Sequence, residues 1–274
     1  MNKDIFSIKD KIIVITGAAG LLGKQYASAI ASFGAIPILI DIDGTSASKV
    51  SNEINNKYDI NSKGFEVDIT NEKNIKKNCD ELLLHYGKID GLINNAAINP
   101  NVSKKDENHF SRLENFSLQN WNSEIAVGLT GAFLCSKYYG TAISNNINGG
   151  VIINISSDLG LIAPDQTIYF DNNFNDKEQP VKPITYSVIK TGLIGLTRYL
   201  STYWPNKVRC NTLCPGGVNF DLPDDFVTEI SKRIPMGRMA EVNEYSAAII
   251  FLLSDASSYM TGSNLIIDGG RTVW

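Results

Sequence analysis

The chain has 274 residues, 43% hydrophobic and 20% charged, with a formal net charge of −4. That size and balance suit a single folded domain spanning 1–274 with a small-molecule partner, and they leave no basic footprint for nucleic acid. The first eleven residues lack the apolar run of an export signal, and no stretch reaches the roughly 20 apolar residues of a membrane span, so a cytoplasmic setting is expected.

Short β-branched runs at 11–16, 36–41, 63–68, 89–94, 150–156, 207–214 and 264–268 alternate with longer helical patterns. This alternation predicts βαβ units, and hence an α/β fold of three layers: a seven-stranded parallel sheet with helices on both faces, doubly wound and Rossmann-like. One segment, 161–185, departs from the pattern. It is polar, carries Pro164, Pro180 and Pro183, and is longer than the usual connection. Cys79, Cys135, Cys210 and Cys214 fall inside predicted elements without a CxxC pair and read as core thiols. His85 and His109 stand far apart, so no metal site is expected.

The first strand runs into Thr16-Gly17-Ala18-Ala19-Gly20-Leu21-Leu22-Gly23, which opens a helix. Glycines in that context permit a tight turn and let a pyrophosphate approach the helix N-terminus. The second strand ends at Asp41, where a carboxylate accepts from adenosine ribose hydroxyls and repels a 2′-phosphate; Asp43 is a rival for the same role. With no Lys or Arg in the glycine turn, NAD(H) is favoured over NADP(H). Further on, Tyr186 and Lys190 are four residues apart near the start of a helix, which places them on one face. An ammonium beside a phenol stabilises the phenolate and lowers a pKa normally near 10, giving a group that exchanges protons.

The order of these motifs, with Asp68-Ile69 after the third strand, Asn94-Asn95-Ala96-Ala97 after the fourth, Ser156-Ser157 after the fifth, Pro215-Gly216-Gly217-Val218 after the sixth and Asp268-Gly269-Gly270 near the end, resembles the short-chain dehydrogenase/reductase family from about residue 11 to 270. The resemblance implies that Ser157 hydrogen-bonds the substrate oxygen, Tyr186 exchanges its proton and Lys190 holds the nicotinamide ribose. It places Gly17, Gly20, Leu22 and Gly23 on the cofactor, with Asp68 and Ile69 at the adenine. Asn95 and Ala96 would lie along its ribose and central stretch, and Pro215, Gly216 and Val218 at the carboxamide. Asn94 and Asn95 as strand caps, and Pro215-Gly216 as an ordinary turn, are the plain alternatives. Family members are usually homodimers or homotetramers, packed through the helices matching 121–144 and 185–203.

Three positions differ from the family pattern. Leu21 replaces the middle glycine of the turn; Gly128 stands where the family places a fourth catalytic residue, an asparagine; and Ser157 and Tyr186 are 29 residues apart, about twice the usual spacing. The insertion thus created, 161–185, is expected on the substrate side, as a lid or specificity element or else as a loop for oligomer contact. The glycine spelling, the insertion and the ending Gly269-Gly270-Arg271-Thr272-Val273-Trp274 are similar to bacterial oxidoreductases of surface-polysaccharide and flagellin-glycan biosynthesis. That similarity implies a sugar, sugar phosphate or sugar nucleotide. Two other readings stay open: an epimerase or dehydratase that retains its NAD, and a dinucleotide-binding protein without turnover, which Gly128 would suit.

Overall fold

The computed structural model describes residues 4–98 and 111–273; His109 lies outside them. β1 (Ile12–Thr16) is a run of β-branched apolar residues, all buried. Ile12 and Val14 enter one core and Ile13 and Ile15 another, the period of two expected of a strand covered on both faces. A turn leads into α1 (Leu21–Ser32), then β2 (Ile36–Asp41), α2 (Gly44–Tyr58), β3 (Lys63–Glu66), α3 (Glu72–Tyr86) and β4 (Gly91–Asn94). Next come α4 (Leu118–Ile125), α5 (Gly131–Cys135) and α6 (Thr141–Ser144), joined by π-helical turns at Ala126–Thr130 and Ser136–Gly140 into one helical rod. β5 (Gly150–Ile155), α7 (Ile184–Tyr203), β6 (Val208–Pro215), α8 (Asp224–Ser231), α9 (Ser246–Leu253) and β7 (Asn264–Ile267) complete it.

All strand pairs are parallel, and the order is β3-β2-β1-β4-β5-β6-β7. The doubly wound seven-stranded sheet expected from the sequence is therefore present. Tyr26 and Ile30 of α1, Val50 and Ile54 of α2 and Ile249 and Leu252 of α9 cover one face. Ile75 and Leu82 of α3, Cys135 and Ile143 of the rod and Leu200 of α7 cover the other. The four cysteines are free and buried, as expected of core thiols, and burial pushes Cys214 up to about 11. Between β4 and β5 the sheet holds a buried polar ladder: Asn94 donates to Asn154 Oδ1 (2.8 Å) and Asn154 to Thr197 Oγ1 (2.8 Å). Asn94 is thus a cross-strand tie within the core.

The chain leaves β1 toward β2 on one side and reaches β4 on the other, so β1 and β4 form the switch point of the sheet. In open α/β sheets, ligands bind in the crevice beyond the carboxyl ends of the strands at such a point.

Candidate active site

β1 ends at Thr16, and Gly17 turns the chain with φ of +59°; a Cβ there would come 2.8 Å from Ala96 Cα, so the turn closes directly onto the end of β4. Asn95 braces it, its side-chain amide donating to Thr16 O (3.0 Å) and Gly17 O (3.1 Å). Thr16 Oγ1 accepts from the backbone of Asn95 and Ala96, each at 2.9 Å. α1 then starts from a Gly20 N-cap that supplies no side-chain acceptor, with no acidic residue in the first turn. The early amides around Leu22 and Gly23 therefore offer an anion the positive end of the helix.

β2 carries Asp41 to the same place. Its Oδ2 accepts from Ala19 N–H at 2.9 Å and its Oδ1 from Asp43 N–H at 3.2 Å, so the carboxylate sits against the glycine turn. Asp43 instead caps α2, accepting from the Ser46 amide at 2.9 Å and the Ser46 hydroxyl at 2.6 Å, and those bonds lower its pKa. Of the two rivals, Asp41 is the one beside the turn. Asp68 Oδ1 accepts from Thr70 N–H (2.8 Å) and Oγ1 (2.7 Å). Ile69 buries its side chain in the core beneath the rod, so an adenine at 68–69 would meet backbone and the other Asp68 oxygen. Across the crevice, Pro215 is buried at the end of β6, while Gly216 accepts from Tyr245 Oη (2.9 Å) and Val218 bridges to Ala240. An uncapped helix end, a side-chain-free approach at Gly17 and a carboxylate at the end of β2 together fit a nicotinamide dinucleotide.

Two bonds stitch the end of β5 to α7: Ser156 Oγ donates to Lys190 O (2.7 Å), and Lys190 Nζ donates to Ile155 O (2.8 Å). Lys190 is buried, and burial followed by the charge of Lys182 lowers its pKa to about 8. Tyr186 lies one turn earlier, its ring centroid 5.7 Å from Lys190 Nζ. Its pKa is raised, mainly by burial and further by Asp158, while a hydrogen bond with Ser157 and the charge of Arg271 act the other way. The expectation that an adjacent ammonium brings this phenol down is thus not met by the chain alone. Desolvation is the largest influence on the phenol, and Lys190 directs its ammonium to the Ile155 carbonyl.

Ser157 is also bound into a buried polar chain that the sequence did not reveal. Its Oγ donates to Asp158 Oδ1 at 2.6 Å, and Asp158 Oδ2 accepts from Arg271 Nη1 at 2.7 Å, with both ion-pair side chains buried. With its proton on Asp158, Ser157 accepts from a neutral Tyr186 hydroxyl; toward a phenolate it must turn that proton around. Glu124 of α4 is buried as well and accepts from Thr185 Oγ1. Gly128 is closely covered: a Cβ there would lie 2.7 Å from Ile189 Cγ2 and 3.0 Å from Cδ1. The space that a side chain at position 128 would take is occupied by Ile189.

The 161–185 segment is packed rather than loose. A 3-10 turn at Gln166–Tyr169 buries Ile168 with Ile230, Ile234 and Met239, and Asp165 pairs with Arg233 at 2.5 Å. Gln179 cross-links the middle, donating to Asp171 O (3.0 Å) and Phe174 O (2.8 Å). Its end brings Lys182 over the Tyr186 ring, with Nζ 3.8 Å from the centroid. Among the described residues, no group of His, Cys, Asp and Glu could hold a metal ion, and no helix is long and apolar enough to cross a membrane.

The chain matches the family model described as short chain dehydrogenase over residues 11–170 and a second, Enoyl-(Acyl carrier protein) reductase, over 176–272. It is 32% identical to an NADP-dependent mannitol dehydrogenase of Alternaria alternata, across 99% of this chain and 96% of that one. It is 31% identical to an NAD-dependent glycerol dehydrogenase of Listeria innocua, across 99% and 97%. A solved short chain dehydrogenase of Leptospira borgpetersenii with bound NAD+ superimposes with a TM-score of 0.83 at 30% identity, covering 99% of this chain and 97% of that one. Fold, motif order and these likenesses agree: the chain belongs to the short-chain dehydrogenase/reductase family and is an oxidoreductase acting on CH–OH groups.

Proposed function

We propose that this protein is an NAD(H)-dependent dehydrogenase of a small polyol or related sugar alcohol, working in the cytoplasm as a single-domain subunit. The observation that carries this reading is the meeting of Ser157, Tyr186 and Lys190 at the β5–α7 junction, on the same edge of the sheet as the glycine turn and Asp41. When bound, a nicotinamide cofactor supplies the acceptor or donor of hydride. Gly17, Gly20, Leu22 and Gly23 hold its pyrophosphate, Asp41 its adenosine ribose, and Asp68, Ile69, Asn95, Ala96, Pro215, Gly216 and Val218 line the remainder. Lys190 serves the nicotinamide ribose. Ser157 holds the substrate hydroxyl and Tyr186 Oη takes its proton during oxidation and returns it during reduction.

The walls around Tyr186 favour a hydroxyl-rich substrate. Lys182 and Asp158 put charge close to the phenol, and Glu124 adds a carboxylate acting on Lys182, which suits a polyol and penalises an acyl chain or steroid. The relatives named for mannitol and glycerol point the same way. The likeness to surface-polysaccharide and flagellin-glycan enzymes rests on motif spelling, and a phosphorylated or nucleotide-linked sugar is the second reading. Initial rates with NAD+ on tetritols, pentitols and hexitols, beside sugar phosphates, sugar nucleotides and a 3-hydroxyacyl thioester, separate them. Turnover confined to the thioester contradicts the reading. The 161–185 segment, ending on Tyr186, borders the substrate side. Exposed Phe133, Val188 and Tyr199 on the rod and α7 supply apolar surface for a homodimer or homotetramer.

NAD(H) preference is assigned to Asp41, since neither the glycine turn nor 42–44 contains Lys or Arg to attract a 2′-phosphate. Asp41→Asn keeps an acceptor for Ala19 and removes the charge. The ratio of kcat/KM for NADP+ over NAD+ is expected to rise about tenfold, ~1.4 kcal/mol. An unchanged ratio would assign discrimination elsewhere.

A further inference from the structure

Lys182, Tyr186 and Lys190 recur every four residues, the first just outside the Pro183 N-cap of α7 and the others within the helix. The phenol ring consequently has an ammonium on each side along one face, at 3.8 Å from its centroid for Lys182 and 5.7 Å for Lys190. The nearer of the two comes from the insertion. Its place is fixed on both flanks: the Lys182 amide donates to Gln166 Oε1 at 2.8 Å, and that of Val181 donates to Ser111 Oγ at 3.2 Å. Meanwhile Ile189 fills the room beside Gly128, so position 128 itself presents no side chain to the site.

We infer that Lys182 is a positioning residue for proton transfer, an insertion-borne cation that stabilises ionised Tyr186 in a site where position 128 supplies no side chain. The inference rests on the proton-exchange role proposed for Tyr186. A cation over an aromatic face is attracted by the ring, and more strongly by a phenolate than by a phenol, so Lys182 favours loss of the proton. Lys190 stands farther off, its Nζ 5.7 Å from the ring centroid and donating to the Ile155 carbonyl.

The surroundings keep Lys182 responsive to pH. Burial lowers its pKa to about 8, with the Asp158 and Glu124 carboxylates opposing that and Arg271 adding to it. Among the described residues, Tyr186 is faced by Ser157 and Asp158 from the turn after β5, Tyr169 and Lys182 from the insertion, Lys190 from its own helix, Tyr245 from the segment before α9 and Arg271 from the turn after β7, while Glu124 from α4 acts on Lys182. Cys214 of β6 adds a weaker influence through Lys190. Of these groups, Lys182 is the one whose ammonium stands over the ring at under 4 Å.

The test is the pH profile of kcat/KM for polyol oxidation by NAD+-saturated protein, for wild type, Lys182→Met, Lys182→Arg and Tyr186→Phe. Lys182→Met should move the midpoint of the acid limb up by about one pH unit, leave the alkaline plateau within about twofold and so lose about tenfold at neutral pH. Lys182→Arg should restore the wild-type midpoint. The ultraviolet tyrosinate absorbance lost in Tyr186→Phe should titrate at each protein's own kinetic midpoint, about one pH unit higher in Lys182→Met than in wild type, a readout independent of turnover. A midpoint unmoved by Lys182→Met, including a uniform fall at every pH, overturns the inference and leaves Lys182 a loop anchor. Full turnover in Tyr186→Phe overturns the reading beneath it instead.

Discussion

Tyr186→Phe should reduce kcat by about 10²–10⁴, the usual contribution of a positioned acid–base group. That corresponds to about 3–5 kcal/mol of barrier. The substitution removes one oxygen and keeps the ring, so the packing beneath Lys182 persists and cofactor affinity should be unchanged within about twofold. The oxygen leaves behind Ser157, which still donates to Asp158 at 2.6 Å and loses only an incoming bond. Stability should therefore shift by no more than about 1 kcal/mol in either direction. Steady-state rates beside a urea unfolding curve check both parts. A variant that retains kcat would remove Tyr186 from the chemistry, while one that loses activity together with fold would say nothing particular about the proton.

Arg271→Met should have the largest effect on stability. Asp158 and Arg271 are 113 residues apart in sequence, yet their side chains meet at 2.7 Å with 3% and 6% exposure. Removing one partner of a buried pair leaves an uncompensated charge, at a loss of about 3–5 kcal/mol. The urea midpoint should fall accordingly, and Asp158→Asn combined with Arg271→Met should recover part of the loss. Catalysis should suffer as well. Arg271 orients the carboxylate that receives the Ser157 proton, so kcat/KM should drop beyond what partial unfolding explains. An unchanged midpoint would mean that Asp158 finds another partner or water once Arg271 is gone.

The sheet was readable in the sequence because its strands are buried on both faces. β1 alternates between two cores and still spells an unbroken apolar run, and the glycine turn follows directly from it. The strand limits were less legible. The third strand, expected at 63–68, stops at Glu66 before Asp68 turns to Thr70, and the fourth begins at Gly91 rather than 89. The two π-helical turns in the rod left no sequence signal beyond small residues at Gly128, Gly131 and Gly140, whose fit against Ile189, Ile69 and Trp204 exists only in three dimensions.

The site divided in the same way. Ser157, Tyr186 and Lys190 were marked by local spacing, as were Gly17 and Asp41. Asp158, Arg271 and Glu124 were not, because each matters through a partner distant in the chain and each reads alone as an ordinary surface charge; Lys182 is near Tyr186 in sequence but lies outside the helix, in a segment whose path the sequence does not specify. Composition carried one usable hint: Arg271 follows Gly269 and Gly270, both at positive φ, a kink that turns a charged residue back toward the end of β5. Two expectations needed refinement once packing was visible. The Ile69 side chain belongs to the core, and the Asn95 amide holds the glycine turn in shape.

The most direct test mixes purified protein with NAD+ and a pool of small polyols and follows absorbance in the reduced-nicotinamide band. Net NADH formation that requires both components, and that disappears in Tyr186→Phe, is the predicted result. Tight cofactor binding with no net NADH from any polyol would contradict the dehydrogenase account and support a retained-cofactor epimerase or a binding protein without turnover.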